Sequence, residues 1–335
     1  MDPVTQTLLG TAAAQAVMRR KIGPAAALMG AVGGALPDID VFAVWADPAL
    51  PIALHRHFTH SIAFVPVGGA LAALPFLLAA KWRRQWKLVF LATTIGCATH
   101  ALLDVCTSYG TYLLWPLINR RLALDIISII DPVFTAALLI GVLWGVIARS
   151  GRPALVGLAL CLAYLGLGVV QHERSAATQR RLAAERQHEV ARGRVMPTLG
   201  NLIVWRSVYE AGGQLHADAV RAPLLGPAAV RKGGSVAVVR VEDLPPEALA
   251  SQRVRRVAEG FRDFADGYLA RVPGEPDVIG DMRYSLITAG FDPLWGIRIE
   301  AGGAEPTVRW VDPAHDRKGA VRDLWRDITD PGGYE

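Results

Sequence analysis

The feature that most constrains this chain is a division of charge. Residues 1–170 carry 12 Lys/Arg and 7 Asp/Glu, whereas residues 171–335 carry 23 of each. The first half can therefore hold long apolar stretches, and one of them begins at Ser61 and meets no charge until Lys81. A helix needs about 20 such residues to cross a bilayer. The second half has the charge density of a domain in water. A fold for this chain has to accommodate both: an α-helical integral membrane domain over residues 1–171, a charged connecting helix over 172–196, and a soluble α+β domain over 197–335.

Along the first half, residues 3–18 form an Ala-rich segment bearing Thr5, Gln6, Thr7 and Gln15, suited to a helix lying at the interface. About five spans follow it, over 22–37, 61–80, 88–106, 126–148 and 153–171. The first is short, but Gly30, Gly33 and Gly34 would let a second helix approach closely. Asp131-Pro132 reads as a helix start with a capping carboxylate. The start of the chain has no basic segment ahead of a compact apolar core, so a cleavable signal peptide is not expected. Cys97, Cys106 and Cys161 lack zinc-type spacing and read as buried small hydrophobes. In the second half, alternation predicts strands over 201–209, 215–221, 235–241, 282–289, 294–300 and 307–311, with helices over 246–272 and 318–327.

The net charge of +5 comes from the first half. It reads as membrane topology, because no basic patch interleaved with aromatics points to nucleic acid. Placing Arg19–Lys21, Lys81–Lys87 and Arg149–Arg152 in the cytoplasm follows the positive-inside preference of short loops. The spans then alternate, and Asp38, Asp40, His55, His57, His60, His100, Asp104, Asp125 and Asp131 gather near the outer face. The C-terminal domain falls on that side too. Arg56, Arg120 and Arg121 run against the rule.

Three short motifs hold most of the polar chemistry of this half. Leu36-Pro37-Asp38-Ile39-Asp40 offers two carboxylates that can point the same way on an extended backbone. His55-Arg56-His57-Phe58-Thr59-His60-Ser61 holds three of the eight histidines. In Thr99-His100-Ala101-Leu102-Leu103-Asp104, an imidazole and a carboxylate at i and i+4 share one helical face and can reach one ion. Nitrogen and carboxylate donors without thiolate suit zinc foremost, and also Mn²⁺ or Fe. There are more donors than one tetrahedral ion needs, so either two ions bind or some groups orient the others. Taken singly, a His–Asp pair between helices is commonly structural, and Asp-x-Asp is commonly a turn. Their convergence on one membrane face favours a metal site. His172, His188, His216 and His315 lie in charged or loop contexts and read as solvated.

The three motifs, in this order and approximate spacing and followed by Trp115-Pro116, resemble the YdjM-like family of membrane-bound metal-dependent hydrolases. The resemblance covers roughly residues 1–170. It implies a bacterial inner-membrane protein with a divalent metal site and a hydrolase activity. The family pattern carries to Asp38, Asp40, His55, His60, His100 and Asp104, while His57 stands where a small or variable residue is expected. More loosely, the set is similar to the helical zinc phospholipase C and single-strand nuclease group, which implies a phosphoester as the scissile bond.

The reading favoured by these residues is a multi-pass inner-membrane hydrolase with its site at the outer face, acting on a lipid or lipid-linked substrate. A divalent ion there would make water nucleophilic near neutral pH, with Asp38 or Asp104 taking the proton. The alternative is a metal-binding or ion-transport protein without hydrolysis. Transport pathways distribute polar groups across the midplane, whereas here they gather at one face.

Overall fold

The computed structural model describes residues 1–41, 56–300, 306–313 and 317–335. They divide into two compact units. The first takes in the chain up to Val170 together with Leu199–Asn201, and the second the remainder from Gln171.

The first unit is helical. α1 (Pro3–Ile22) starts where Asp2 accepts hydrogen bonds from the Val4 and Thr5 amides, and it ends at Gly23 after Arg19, Arg20 and Lys21. α2 (Ala25–Ala35) runs into a 3-10 turn, Leu36–Asp40. Two further 3-10 turns, Phe58–His60 and Ile62–Phe64, lead into α3 (Val65–Leu77). After α4 (Ala80–Arg84) come α5 (Trp86–Cys106), α6 (Pro132–Ile147) and α7 (Arg152–Glu185). Asp131 caps α6 through the Val133 and Phe134 amides and accepts from the Tyr164 hydroxyl at 2.9 Å. It is thereby committed to the helix start that the sequence suggests.

Among the described residues two helices, α5 with 21 residues and α7 with 34, are long and apolar enough to cross a membrane. That corrects the expectation of about five spans. Three of the apolar runs are longer than the helices within them. The run over 22–37 leaves the α-helix after Ala35, where Pro37 follows. The run over 61–80 loses its first residues to 3-10 turns, so α3 keeps 13. α6 can begin only at Pro132 and has 16 residues, a rise of about 24 Å against the ~30 Å of a hydrocarbon core. The outward faces of α6 and α7 are nonetheless apolar, with Ile140, Trp144, Ile147, Leu160 and Leu162 exposed. Apolar surface of that extent suits lipid rather than water. The expectation of an interfacial N-terminal helix also changes, since α1 packs against α2, α5 and α6 with Gln6 and Gln15 fully buried.

Three of these helices meet at the Gly30 carbonyl. A Cβ built on Gly10 of α1 would lie 2.4 Å from that oxygen, and one built on Gly96 of α5 would lie 2.3 Å from it. Only glycine permits this approach on either side.

The second unit is sheet-rich. The residues read as a separate charged helix, 172–196, begin inside α7 and end as strand β1 (Val190–Pro197). β2 (Val204–Ala211) and β3 (Gln214–Arg221) continue the sheet, and β4 (Ala229–Arg231) and β5 (Ser235–Ala237) both pair with β3. Two helices follow, α8 (Pro246–Ala250) and α9 (Gln252–Phe264). The second sheet is β6 (Leu269–Val272), β7 (Glu275–Asp281), β8 (Gly296–Glu300) and β9 (Thr307–Val311), paired in that order. α10 (Arg317–Thr329) comes last. Every ladder is antiparallel. The long helix expected over 246–272 ends at Phe264, and its last residues pair as β6 with the β7 segment, which carries no strong alternation. Residues 282–289 form no strand, because the Arg206 guanidinium claims the Met282, Ile287 and Thr288 carbonyls.

The Gly30 contact gives a direct test of the helical packing. Gly96→Ala should lower the thermal midpoint of the detergent-solubilised protein, because overpacking against backbone costs about 1–3 kcal/mol. Gly166→Ala, where an added Cβ meets nothing within 4 Å, should leave it equal or slightly higher. Equal midpoints for the two variants would refute the close approach of α1, α2 and α5.

Candidate metal centre

The carboxylates and imidazoles come from three short pieces of chain. Pro37 sets the 3-10 turn that follows α2 and presents Asp38 and Asp40. The turn Phe58–His60 presents His60, and one face of α5 presents His100 and Asp104 a turn apart. His60, His100 and Asp104 are fully buried, and the Asp38 side chain is 16% exposed.

The contacts converge on one place. His60 Nε2 lies 3.4 Å from Asp38 Oδ1 and 3.3 Å from Asp104 Oδ2. His100 Nε2 lies 3.5 Å from each of the same two oxygens. The two rings stand edge to face with centroids 4.7 Å apart. Asp38, His60 and His100 could hold a metal ion: one ligand atom from each lies within 4.8 Å of the others. Asp104 adjoins this group through both imidazoles.

The donor set fits a divalent cation on two grounds. A tetrahedral site with bonds of about 2.0–2.1 Å has ligand-to-ligand edges of roughly 3.3–3.4 Å, which the contacts of Asp38 Oδ1 with the two imidazoles approximate. The second ground is the tautomer of each ring. His100 Nδ1 lies 2.6 Å from the Gly34 carbonyl. A carbonyl only accepts, so Nδ1 carries the proton of the neutral ring and Nε2 presents a lone pair. The Thr59 hydroxyl donates to Asp40 Oδ2 at 2.8 Å and stands 3.0 Å from His60 Nδ1. Its single proton is spent on Asp40, so it accepts from His60 Nδ1, and His60 Nε2 likewise faces inward. His100 Nε2 and Asp104 Oδ2 are buried without a hydrogen bond among the described residues. Buried polar atoms are rarely left so.

Electrostatics supports the same reading for Asp38. Burial acts to raise its pKa, but with His100 and His60 protonated their hydrogen bonds and charge outweigh burial and hold it well below the usual carboxylate range, and a cation held between the bare rings would act in the same direction. It is a carboxylate throughout the neutral range.

The sequence-derived candidates divide as follows. The structure brings Asp38, His60, His100 and Asp104 together. Asp40 is near, but on the far side of the His60 ring, with Oδ2 3.4 Å from Nδ1 and bonded to the Arg56 amide at 3.0 Å. His55 lies outside the described residues. His57 engages the loop after α5 instead, with Nε2 3.3 Å from Asn119 Oδ1 and its ring 4.5 Å from Tyr112.

Other residues at the site were not singled out from sequence. Gln6 Nε2 donates to Asp104 Oδ1 at 2.8 Å, and the Met1 amino nitrogen lies 2.5 Å from the same oxygen. Arg56 is 6% exposed and puts Nη1 3.5 Å from Asp104 Oδ1. Signals for two of them existed. Gln6 is one of two amides on an Ala-rich helix, and buried polar groups in such helices mark sites. Arg56 is one of the three arginines that the positive-inside rule leaves unexplained.

The profile of the YdjM inner membrane protein family matches residues 1–175. The chain is also similar to the uncharacterized protein YfhP of Bacillus subtilis, 26% identical over 169 residues, which is 50% of each protein. The chain thus spans about half the length of the curated relative it matches. No solved structure matches the chain.

Metal content tests the centre. Asp38→Ala, His60→Ala and His100→Ala should each remove bound divalent metal from the purified protein, measured by elemental mass spectrometry. Asp40→Asn, which touches the far side of an imidazole, should weaken affinity on the order of 10–100-fold. His216→Ala, on β3, should retain full metal. Undiminished occupancy in His100→Ala would place the site elsewhere.

Proposed function

This chain belongs to the YdjM inner membrane protein family, and on that premise we propose that it is a metal-dependent hydrolase of the inner membrane, acting on a lipid or lipid-linked phosphoester. The observation that carries the reading is the pair of imidazoles whose Nε2 atoms converge on Asp38 Oδ1 and Asp104 Oδ2 in a buried place. Asp38, His60 and His100 would hold the ion, with zinc the best match to nitrogen and oxygen donors without thiolate. When bound, the ion supplies Lewis acidity and lets water attack near neutral pH.

The chain's own groups then have separate roles. Asp104 keeps Oδ1 on Gln6 and on the Met1 amino group, so that carboxylate is fixed in orientation. Oδ2, which makes no hydrogen bond among the described residues, would accept the proton of the attacking water. Asp40 and Thr59 hold His60 by Nδ1, and the Gly34 carbonyl holds His100. The side chain of Asp38, the most exposed of the four, marks the way in for substrate. Tyr112, Trp115 and exposed Leu117 on the neighbouring loop suit the head-group level of a bilayer, which favours a substrate taken from the membrane. The positive-inside preference of the basic loops at Arg19–Lys21, Lys81–Lys87 and Arg149–Arg152 supports a second unit outside the cytoplasm.

Full-length protein in phospholipid nanodiscs should release head group or phosphate when loaded with zinc, and should stop when chelated. Asp104→Asn should keep its metal and lose about 10²–10⁴-fold in rate, the usual contribution of a positioned base. Absence of turnover across a panel of phospholipids by metal-loaded protein would remove the hydrolase reading.

Topology has its own readout. Alkaline phosphatase fused after Glu335 should be active in cells. A fusion that is inactive there, with a fluorescent reporter bright at the same position, would reverse the orientation.

A further inference from the structure

We propose that Arg56 binds the phosphoryl oxygens of the substrate, which makes the ligand of this site the phosphate of a lipid rather than a neutral ester; the inference rests on the hydrolase reading above. What carries it is a contrast with other arginines of the chain, Arg206 and Arg283 buried and Arg186 partly so. Arg186 meets Asp218 with two bonds of 2.8 Å, Arg283 meets Asp281 at 2.9 and 2.7 Å, and Arg206 reaches the Thr288 carbonyl at 2.6 Å. These are the short contacts of arginines with structural duties.

Arg56 has nothing comparable. Nη1 is 3.3 Å from the Thr107 hydroxyl and 3.5 Å from Asp104 Oδ1, and Nη2 is 3.5 Å from the Met1 carbonyl. Nε has no hydrogen-bond partner among the described residues. Asp104 cannot draw the guanidinium closer, because Gln6 and the Met1 amino group already occupy Oδ1. A buried guanidinium keeps five donors in a fixed fork, and here most of that capacity is unspent. The Tyr109 ring lies 5.3 Å from its carbon and supports the charge without consuming a donor.

The backbone supports the same view. Arg56 has φ +62°, a left-handed conformation uncommon for a residue with a side chain. Asp40 holds its amide, while the Thr111 hydroxyl and the Tyr112 amide hold its carbonyl. Strain retained by three surrounding bonds is found where a side chain must be aimed. The aim is toward Asp104, the carboxylate that touches both imidazoles. Phosphate fits this fork in two-point fashion better than any neutral carbonyl does.

The test is titration of inorganic phosphate into full-length, metal-loaded protein in phosphate-free detergent buffer, followed by calorimetry. Metal content is measured on the same samples. Arg56→Gln should weaken phosphate binding about tenfold to a hundredfold, the worth of charge-assisted bonds, with metal unchanged. Arg56→Lys should recover part of the loss, and Arg83→Gln in the basic loop none. A short-chain phosphatidic acid should bind more tightly than glycerol phosphate and depend on Arg56 equally. Phosphate binding in Arg56→Gln equal to the unaltered protein, or no binding at all, would overturn the proposal. So would loss of metal from both Arg56 variants, which would make Arg56 a structural support. Equal binding of the acylated and soluble phosphates would overturn its lipid half. Arg56-dependent phosphate binding without lipid turnover would leave the anion site standing and remove the hydrolase reading. Turnover unaffected by Arg56→Gln would do the reverse.

Discussion

The Gly30 carbonyl, pressed between the backbones of α1 and α5, sets the terms for everything in the first unit. Helices in an apolar medium gain little from burying apolar side chains against each other, so they associate by close packing of small residues. Gly10, Gly30 and Gly96 allow that packing at one level of the bundle. One turn along α2, the Gly34 carbonyl reaches His100 Nδ1 at 2.6 Å. The contact that joins the helices thus also fixes which nitrogen of an imidazole is bare.

The same economy holds around Asp104. One of its oxygens is bound on all available sides by Gln6 and Met1, and the other faces the two imidazoles. Carboxylates and imidazoles buried at this density are costly unless something balances them. The polar partners around the group supply part of the balance: Thr59 and Asp40 behind His60, the Gly34 carbonyl behind His100, and Arg56 beside Asp104. A divalent cation between the Nε2 atoms would supply the rest.

The second unit solves a different problem in a different way. Its buried carboxylates Asp218 and Asp281 meet arginines with short two-point bonds, Arg186 at the first and Arg283 at the second. They close on themselves and hold sheets and loops in register. The loosely bonded Arg56 and the inward-facing imidazoles of the first unit differ because their hydrogen-bonding capacity points at a common place instead of at each other.

The division of the chain is a reading of the sequence, since charge density tracks solvent and changes abruptly near residue 170. The His–Asp pair on α5 was legible because a helix puts i and i+4 on one face, and Asp38 and His60 were legible as motifs on the same predicted face. Span number was not, because hydropathy counts apolar residues and cannot see where Pro37 or Pro132 stops or starts a helix. The β6–β7 hairpin was hidden because its residues are paired by partners distant from the local pattern. Asp38 and Asp40 looked equivalent, two residues apart. Only the folded chain, by placing the His60 ring between them, put one carboxylate at Nε2 and the other at Nδ1. Which face of an imidazole a carboxylate meets depends on the packing of separate turns, and no spacing along a single chain encodes that.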